Sequence, residues 1–298
     1  MLRRIAPAAM AAAAKRACGS RRGKKTGSWI ACGTVVTLCA AFGNAQASSA
    51  VEGEVLHELP IDKLKWKRKV DGANRQPVVL VACGSFNPPT LMHLRMFEVA
   101  RDALAKRGWD VVGGYVSPVN DSYEKKTLIP SENRIDMCKL AVENSDMIMV
   151  DEWEAKQPAY VTTIRVLERV DEALNKGKPA QEPKTRVLFL CGADVIDTMA
   201  IPGVWADKDI EKIFSKDHGL VCITREEANI AELLEATPLL KRVGKDIIVV
   251  DEPVPNQISS SRLRAEVAQG HSIKYLTPDS VIQYIGRQKL YKREVDRA

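Results

Sequence analysis

The sequence predicts an α/β protein built around a doubly wound parallel sheet. Short apolar runs rich in β-branched residues recur along the chain without alternating with polar residues, as in strands that are buried on both faces. Segments with apolar residues at helical spacing separate these runs, and the connecting loops carry Gly, Pro and Asn. Helices that alternate with parallel strands are typical of a sheet covered on both faces.

The first strand, loop and helix of the pattern come early in the chain. The run 78–83 reads Val-Val-Leu-Val-Ala-Cys and predicts a buried strand. The loop 84–90 contains two prolines, which neither a strand nor a helix accommodates in its interior. The apolar spacing over 91–106 predicts a helix, and Thr90 is placed to cap it.

The later elements are predicted on the same grounds, in chain order. Strands are predicted at 110–116, 147–150, 186–191, 219–224 and 247–250, each an apolar run bounded by polar or turn residues. Helices are predicted at 131–144, 161–175, 194–199, 210–216, 226–235, 259–269 and 278–289, with Ser131 as the N-cap of the first of these. The polar stretch 176–185 is expected to be a surface loop.

Charge is unevenly distributed along the 298 residues. The net charge is +6, but residues 1–70 carry 13 basic and 4 acidic side chains, whereas residues 71–298 carry 31 basic and 34 acidic ones. A nucleic-acid-binding domain would show the opposite distribution, so no nucleic-acid partner is expected. The length provides ample core for one large or two modest domains.

The N-terminal segment allows three interpretations. Residues 1–51 contain no acidic residue and are rich in Ala and basic residues, which is typical of an organellar transit segment. The apolar stretch 29–42, followed by Ala-Gln-Ala at 45–47, instead favours a secretory signal. A disordered extension, or upstream sequence read through from an early start codon, is the third interpretation. Residues 52–77 are expected to be a polar linker with a basic patch at 63–69.

Membrane and redox signals are weak. The apolar stretch near the N-terminus is too short to predict a membrane span. Separately, no stable membrane association is expected for residues 77–298. The seven cysteines show no C-x-x-C spacing, and Cys83, Cys191 and Cys222 lie in or beside apolar strand-like runs. They are interpreted as reduced, buried residues of an intracellular protein, and no zinc site is predicted.

The loop from Gly84 to His93 joins a buried strand to the start of a helix. Such a junction directs free backbone N–H groups and the positive end of the helix dipole at one place, which favours anion binding. Gly84 allows the backbone to approach a phosphate closely, and His93 lies in the first helical turn. The position of His93 indicates that the anion is a phosphate that undergoes chemistry.

Other predicted strand ends carry residues suited to a nucleotide. Lys125 and Lys126 lie in the loop 117–127, where one of them is expected to reach a phosphate as a point charge. The sequence does not decide which one. Trp153 lies just past a strand-like run, and Trp205 follows Gly203 and Val204. Both tryptophans lie beside presumed ligand loops and could hold an aromatic base between them.

Two further groups complete the predicted site. Gly192 permits close approach of a ligand, and Asp194 could accept a hydrogen bond from a ribose hydroxyl or a base amine. Asp194 could instead, or also, be the N-cap of a helix. Ser261, Arg262 and Arg264 lie at the start of a predicted helix, where the dipole disfavours basic residues unless an anion is bound. This segment is a second predicted phosphate site. Two such sites on one sheet imply one ligand with several phosphates, or two phosphorylated ligands.

These motifs together resemble eukaryotic nicotinamide/nicotinate mononucleotide adenylyltransferases of the nucleotidyltransferase superfamily, most closely the plant forms. The resemblance is carried by Gly-Ser-Phe-Asn-Pro-Pro-Thr-Leu-Met-His at 84–93, Ser-Pro-Val-Asn-Asp-Ser-Tyr-Glu-Lys-Lys at 117–126, Cys-Gly-Ala-Asp at 191–194, Pro-Gly-Val-Trp at 202–205 and Ile-Ser-Ser-Ser-Arg-Leu-Arg at 258–264. It covers about residues 77–292 and implies a Rossmann-like nucleotidyltransferase catalytic domain at 77–298. Residues 1–76 would then be a disordered extension or a targeting segment.

The resemblance implies an activity as well as a fold. The AMP moiety of ATP, which enters with Mg²⁺, would be transferred to nicotinamide mononucleotide, and also to nicotinate mononucleotide. The products would be NAD or its deamido form and pyrophosphate. The resemblance implies a cytoplasmic or nuclear location, and it leaves open a homo-oligomer and the preference between the two acceptors.

The resemblance also implies roles for individual residues. His93 matches the phosphate-binding histidine, and Thr90 stands where the wider superfamily has a first histidine. Lys126 matches the lysine that holds the mononucleotide phosphate, and Trp153 matches the residue that stacks on the pyridine ring. The implied catalytic residues are His93, Arg264 and Lys126. The residues implied to bind ATP or the dinucleotide are Gly84, Ser85, Phe86, His93, Lys126, Trp153, Gly192, Asp194, Val204, Trp205, Arg225, Asn256, Ser261 and Arg262, and no metal-binding residue is implied.

Two alternatives remain open at this point. A phosphopantetheine or cytidylyl transferase would share the fold and take a different acceptor, although Trp153 and Trp205 favour an acceptor with an aromatic ring. A nucleotide-binding chaperone or sensor with little catalysis would share the site and lack the turnover.

Overall fold

Six parallel strands form the sheet within the part of the chain that the computed structural model describes, which is residues 57–66, 75–123, 125–179, 182–224, 230–254 and 256–292. The strands are β1 (Gln76–Gly84), β2 (Trp109–Pro118), β3 (Ile148–Val150), β4 (Arg186–Gly192), β5 (Leu220–Thr224) and β6 (Ile248–Asp251). The helices are α1 (Leu91–Ala105), α2 (Ser131–Val142), α3 (Trp153–Lys156), α4 (Thr163–Asn175), α5 (Ala193–Met199), α6 (Asp207–Ile213), α7 (Ile230–Glu235), α8 (Pro238–Val243), α9 (Ser260–Ala268) and α10 (Asp279–Arg287). A turn of 3₁₀ helix, Gly244–Asp246, follows α8.

The strand order is β3-β2-β1-β4-β5-β6, and all neighbouring strands are parallel. The chain builds one half of the sheet outward from β1 and the other half outward from β4, so the order reverses between these two strands. Ligands of doubly wound sheets bind in the crevice at the carboxyl ends of the strands next to this reversal. The predicted doubly wound parallel sheet is confirmed, and its crevice lies at the ends of β1 and β4.

Apolar core on both faces of the sheet explains why the strand sequences do not alternate. Val79 and Val81 of β1 belong to a cluster that includes residues of α4, whereas Val78 and Leu80 belong to a second cluster with Phe97 of α1. All five side chains are fully buried. Burial of one such side chain contributes about 1.5–3 kcal/mol, so β1 is firmly held where its loop begins.

A third, smaller cluster places α9 beside the crevice. Leu263 of α9 is buried together with Met137 of α2 and Ile285 of α10. The packing of Leu263 therefore fixes the position of the residues that begin α9.

The element boundaries agree with the predicted ones except at a few positions. Ser131 is not the N-cap of α2, because Pro130 occupies that position and the Ser131 hydroxyl donates to Asp121 Oδ2 at 2.9 Å. The sequence does not predict α3 or α8, whose single turns are too short to show helical periodicity. Of the predicted helix 226–235, the structure describes 230–235, where α7 lies. Residues 225–229 lie outside the described residues.

Residues 57–66 form an ordered strap over the sheet, so the interpretation of this segment as a linker is wrong. The Leu64 side chain lies so close to Gly113 that a Cβ atom on Gly113 would be 2.4 Å from Leu64 Cδ2. The Lys65 N–H donates to the Val112 carbonyl at 2.8 Å, and the Tyr115 hydroxyl donates to the Pro60 carbonyl at 2.7 Å. The folded part of the chain therefore begins before residue 76.

The three interpretations of the N-terminal segment concern residues outside the described part, and they stay predictions. Among the helices that the structure describes, none is both long and apolar enough to cross a bilayer.

Candidate active site

The two predicted phosphate sites lie side by side at the crevice. The Arg264 guanidinium of α9 donates from Nη1 to the Asn87 carbonyl at 2.7 Å, and the Ser260 hydroxyl donates to the Pro88 carbonyl at 2.7 Å. Arg264 thus contacts the loop that leads to His93. The start of α9 therefore contacts the loop that precedes α1, and both helix starts can contribute N–H groups and positive helix dipoles to bound anions.

His93 is fixed at the start of α1 by a capping box with Thr90. The backbone N–H of Thr90 donates to His93 Nδ1 at 2.9 Å, and the His93 N–H lies 3.4 Å from Thr90 Oγ1. The predicted capping role of Thr90 is confirmed. Because Nδ1 accepts a hydrogen bond from a backbone N–H, the proton of the neutral ring is on Nε2. His93 is therefore set up as a hydrogen-bond donor through Nε2.

The loop between β1 and α1 has an unusual backbone at Phe86. Phe86 is buried and has φ 43°, in the left-handed region that non-glycine residues rarely adopt. Its ring meets the His93 ring edge-on, with the centroids 5.2 Å apart. This contact packs the loop against the catalytic candidate. Gly84 and Ser85, both half-buried, lie between β1 and Phe86.

Arg134 is a buried cation that the sequence gives no reason to select. Its side chain is 0% exposed and donates to the carbonyls of Ser85 at 3.3 Å and Val119 at 2.7 Å. It also pairs with Asp121 at 2.8 Å. Partial burial alone would raise the pKa of Asp121, but hydrogen bonds from Ser131 and Arg134 lower it. Arg134 thus joins the loops that follow β1 and β2.

The structure distinguishes the two lysines of the second loop. Lys125 is half-buried and Lys126 is exposed. Burial lowers the pKa of Lys125, the charge of Arg264 lowers it further, and the charge of Asp194 opposes this change. Lys125 therefore lies within electrostatic range of both Arg264 and Asp194, at the crevice. Lys125 is therefore a second candidate for the phosphate-binding lysine, and the predicted role of Lys126 stays a prediction.

The two tryptophans occupy different environments. Trp153 is only 3% exposed, belongs to the core, and has the Arg169 guanidinium over one ring face at 5.1 Å. Arg169 in turn pairs with the buried carboxylate of Asp151 at 2.6 Å. Trp205 is half-buried, and its Nε1–H donates to Thr198 Oγ1 at 3.0 Å. Trp205 remains a candidate stacking surface, whereas the position of Trp153 is that of a core side chain.

Sequence reasoning missed a pair of tyrosines in the loops that follow β2 and α3. Tyr123 and Tyr160 are stacked, with ring centroids 6.2 Å apart and an interplanar angle of 23°. Burial and the nearby Glu154 raise the pKa of Tyr160, as do Cys83 at the end of β1 and Asp209 in α6. The ring of Tyr160 is therefore close to the end of β1 and to the helix that follows Trp205.

A buried acid lies beneath the two loops. Glu154 is 2% exposed and accepts a hydrogen bond from the Ser117 hydroxyl at 2.6 Å. Cys83 and Ser117 are register partners on β1 and β2, and both contact this carboxyl group. Burial raises the pKa of Glu154 to about 8, and the nearby Asp151 adds to the effect, whereas the hydrogen bond from Ser117 opposes it.

The start of α5 brings a glycine and an acid to the end of β4. Gly192 is the N-cap of α5, so Asp194 does not have that role. A Cβ atom on Gly192 would be 2.6 Å from Asp194 Oδ1, which shows how closely the carboxylate approaches the backbone. Asp194 is exposed in the first turn. Val204 follows Gly203, whose φ of 81° suits a glycine in the turn before Trp205.

The remaining predicted residues lie before and within the first turn of α9. Ser259 is the N-cap and accepts from the Arg262 N–H at 3.4 Å, and Ser261 and Arg262 are exposed. Asn256 Oδ1 accepts from the Ile258 N–H at 3.2 Å, which orders the approach to the helix. Arg225 lies outside the described residues.

Comparisons with known proteins find similar sequences over most of this chain. The sequence model of the cytidylyltransferase-like family matches residues 81–266. The nicotinamide/nicotinic acid mononucleotide adenylyltransferase of Oryza sativa subsp. japonica is 48% identical over 234 residues, which cover 78% of this chain and 94% of that protein. The protein of the same name from Arabidopsis thaliana is 46% identical over 233 residues, which cover 78% of this chain and 97% of that protein.

A solved structure supports the fold independently of close sequence similarity. The Plasmodium falciparum nicotinic acid mononucleotide adenylyltransferase complexed with NaAD superposes with a TM-score of 0.50 at 20% sequence identity. The match covers 72% of this chain and 98% of that one. The sheet order and the crevice described above therefore belong to a known architecture.

Proposed function

The chain belongs to the cytidylyltransferase-like family and, within it, to the nicotinamide/nicotinic acid mononucleotide adenylyltransferases, and from this premise we propose that it makes pyridine dinucleotides. It transfers the adenylyl group of ATP to nicotinamide mononucleotide, and to nicotinate mononucleotide. The products are NAD or its deamido form, together with pyrophosphate. The observation that carries this proposal is the 2.7 Å contact of Arg264 with the loop leading to His93, which joins two anion-binding segments in one crevice.

The reaction requires alignment more than acid–base chemistry. A phosphate oxygen of the mononucleotide attacks the α-phosphorus of ATP and forms the new P–O bond. The bond from that phosphorus to the bridging oxygen of the β-phosphate breaks, and pyrophosphate leaves with the electron pair. A phosphate nucleophile is already ionised, so no general base is needed. The protein therefore acts by holding two anions in line and by stabilising charge on the transferred and leaving groups.

The ATP phosphates would be held from both sides of the crevice. His93 donates from Nε2 to the phosphate that is transferred, and the N–H groups at the start of α1 lie next to it. Ser261 and Arg262 on the first turn of α9, together with Arg264 on the next turn, bind the leaving pyrophosphate. Lys125 contributes positive charge between these groups and the mononucleotide phosphate. We assign the lysine role to Lys125 because of its position beside Arg264 and Asp194.

The acceptor ring would lie against the aromatic side chains that remain partly exposed. Trp205, which donates to Thr198 of α5, and Tyr160, which lies within electrostatic range of the end of β1, provide the ring faces. Asp194 accepts hydrogen bonds from ribose hydroxyls, and Gly192 leaves room for the sugar. Trp153 supports this region from the core.

Magnesium would enter as part of the substrate, bound to the ATP phosphates. Among the residues that the structure describes, no group of three or more His, Cys, Asp and Glu side chains could hold a metal ion. Mg²⁺ commonly keeps several waters and binds through substrate phosphates. The basic side chains at this crevice fit that arrangement, because they would bind the phosphates and not the ion. When bound, the ion neutralises charge on the leaving pyrophosphate.

Pyrophosphate release tests the proposal directly. The full chain is incubated with MgATP and nicotinamide mononucleotide, and pyrophosphate and dinucleotide are both quantified. We expect equal amounts of the two products, and neither when one nucleotide is omitted. Nucleotide binding without pyrophosphate release would instead indicate a chaperone or sensor, and release with phosphopantetheine as the acceptor would indicate the other transferase.

A further inference from the structure

We propose that Tyr291, near the C-terminus, is a positioning residue for adenylyl transfer that acts through Asn87. The inference rests on the proposed function. The Tyr291 hydroxyl lies 2.7 Å from Asn87 Oδ1 and so contacts the loop between β1 and α1. Tyr291 is 204 positions from Asn87 in the sequence, and no motif places the two together.

Asn87 is the point at which three segments meet. Its side chain is 0% exposed, and its Nδ2 donates to the Thr127 carbonyl at 2.7 Å. Its carbonyl accepts from Arg264 Nη1 at 2.7 Å. The third contact is the hydroxyl of Tyr291 on Oδ1. The loop of the lysines, helix α9 through Arg264, and the C-terminal segment therefore all bind to one buried residue.

The direction of these hydrogen bonds is fixed. Thr127 offers a carbonyl, which only accepts, so the amide nitrogen of Asn87 must face it. Oδ1 then faces Tyr291, whose hydroxyl must donate. Burial raises the pKa of Tyr291, and the nearby charges of Arg264 and Arg134 oppose the change only partly. The hydroxyl therefore keeps its proton, and Tyr291 holds the amide in one orientation.

The backbone after α10 is bent so that Tyr291 reaches the loop. Lys289 has φ 55° and Tyr291 has φ 61°, both in the left-handed region that costs a non-glycine residue free energy. The Leu290 N–H donates to the Ile285 carbonyl at 3.0 Å, which closes the end of the helix. The segment whose Tyr291 contacts Asn87 thus maintains two unfavourable backbone conformations.

Asn87 connects the loop that leads to His93 with Arg264 and the loop of the lysines, so its position affects catalysis. Asn87 lies six residues before His93, and its two other partners are Arg264 and the residue after Lys126. A shift of Asn87 would change the spacing between the group that binds the transferred phosphate and the group that binds the leaving one. In-line transfer is sensitive to displacements of this kind, and a misplacement of about 1 Å can reduce the rate about 100-fold.

Removal of one hydroxyl group tests the inference, with a matched control in the same part of the chain. Tyr291→Phe keeps the ring and removes the donor to Asn87. Tyr284→Phe removes a hydroxyl that lies 3.1 Å from Asn133 Oδ1 and 3.0 Å from Asp136 Oδ2, both on α2 and away from the loop. We expect both variants to fold and to lose a similar amount of stability in urea.

The two variants should differ in turnover. For Tyr291→Phe we expect kcat to fall about 10-fold or more, with the KM for ATP changed by no more than about threefold, because alignment is lost and binding groups remain. Tyr284→Phe should keep kcat within about twofold. Equal kcat values for Tyr291→Phe and the wild type, or an equal loss in Tyr284→Phe, would overturn the inference.

A second comparison shows whether Tyr291 acts through Asn87. In an Asn87→Ala background, Tyr291→Phe should have no further effect on kcat, and an additive loss would contradict the inference. If Asn87→Ala does not fold, the comparison with Tyr284→Phe decides alone. An inactive wild type would overturn the proposed function and this inference with it, whereas an active wild type with an unaffected Tyr291→Phe would overturn this inference alone.

Discussion

Glu154→Gln should change how stability depends on pH, because the Glu154 carboxyl is buried and is held by the uncharged hydroxyl of Ser117. The ordinary pKa of a glutamate is 4.5, and burial raises the pKa of Glu154 to about 8 in the folded protein. Between these values the folded state keeps the proton and the unfolded state releases it. Stability therefore falls as pH rises through this window and becomes constant above pH about 8.

The size of the effect follows from proton linkage. Each pH unit within the window lowers the free energy of unfolding by about 1.4 kcal/mol through this one group. Glutamine does not ionise, so Glu154→Gln lacks this slope. From pH 5.5 to pH 7.5, the stability of the wild type relative to the variant should fall by about 2.7 kcal/mol. Glutamine also keeps an oxygen that can accept from Ser117.

Urea unfolding at pH 5.5, 6.5 and 7.5 measures this difference, and Glu152→Gln is the matched control. Glu152 is partly buried, which would raise its pKa, but hydrogen bonds from Lys139 and Lys156 lower it. Its contribution is complete above the unfolded pKa and is lost only in more acidic solution, so Glu152→Gln should show a constant offset over the same range. Parallel curves for the wild type and Glu154→Gln would refute the account of the buried carboxyl.

Three other substitutions test roles that the sequence alone does not assign. In steady-state kinetics, Lys125→Ala should lower kcat/KM about 10- to 100-fold, and Lys126→Ala should lower it less than about threefold. The reverse order would contradict the lysine assignment. Leu64→Ala should lower the free energy of unfolding, measured in urea, by about 2–3 kcal/mol, because it leaves a gap over Gly113. An unchanged unfolding midpoint would show that the strap 57–66 does not pack against Gly113. Trp205→Ala should raise the KM for the mononucleotide about 10-fold with little change for ATP, and an unchanged mononucleotide KM would exclude Trp205 from the acceptor site.

Much of the fold could be predicted because its signals are local. The unalternating run of β1 reports burial on both faces, and Thr90 marks the start of α1 by its own hydrogen-bonding chemistry. The strap 57–66 could not be predicted, because its polar composition reads as a linker. Its one buried side chain, Leu64, finds its partner at Gly113 only once the sheet is built.

The site could be predicted in part, for a related reason. Gly84, His93 and Arg264 follow from the chemistry of strand ends and helix starts, which a sequence displays. Trp153 follows a strand end just as a stacking residue would, but the structure places it in the packed core with the Arg169 guanidinium over its ring, so its stacking role stays a prediction. Arg134, Tyr160 and Tyr291 act through contacts distant in sequence, so no local pattern identifies them.

Some expectations concern features beyond the described residues or beyond one chain. The nature of residues 1–56, the cytoplasmic or nuclear location, the oligomeric state and the lack of a nucleic-acid partner stay predictions. The preference between the amide and the acid acceptor belongs with them.

The most direct test of the central claim is the rate of dinucleotide formation by His93→Ala at saturating MgATP and mononucleotide. We expect a loss of kcat of about 100- to 1000-fold, because the donor from Nε2 to the transferred phosphate is gone. The free energy of unfolding should fall by only about 1 kcal/mol, the usual cost of losing a helix-capping contact such as that with Thr90. Near-normal turnover by a folded His93→Ala protein would contradict the account.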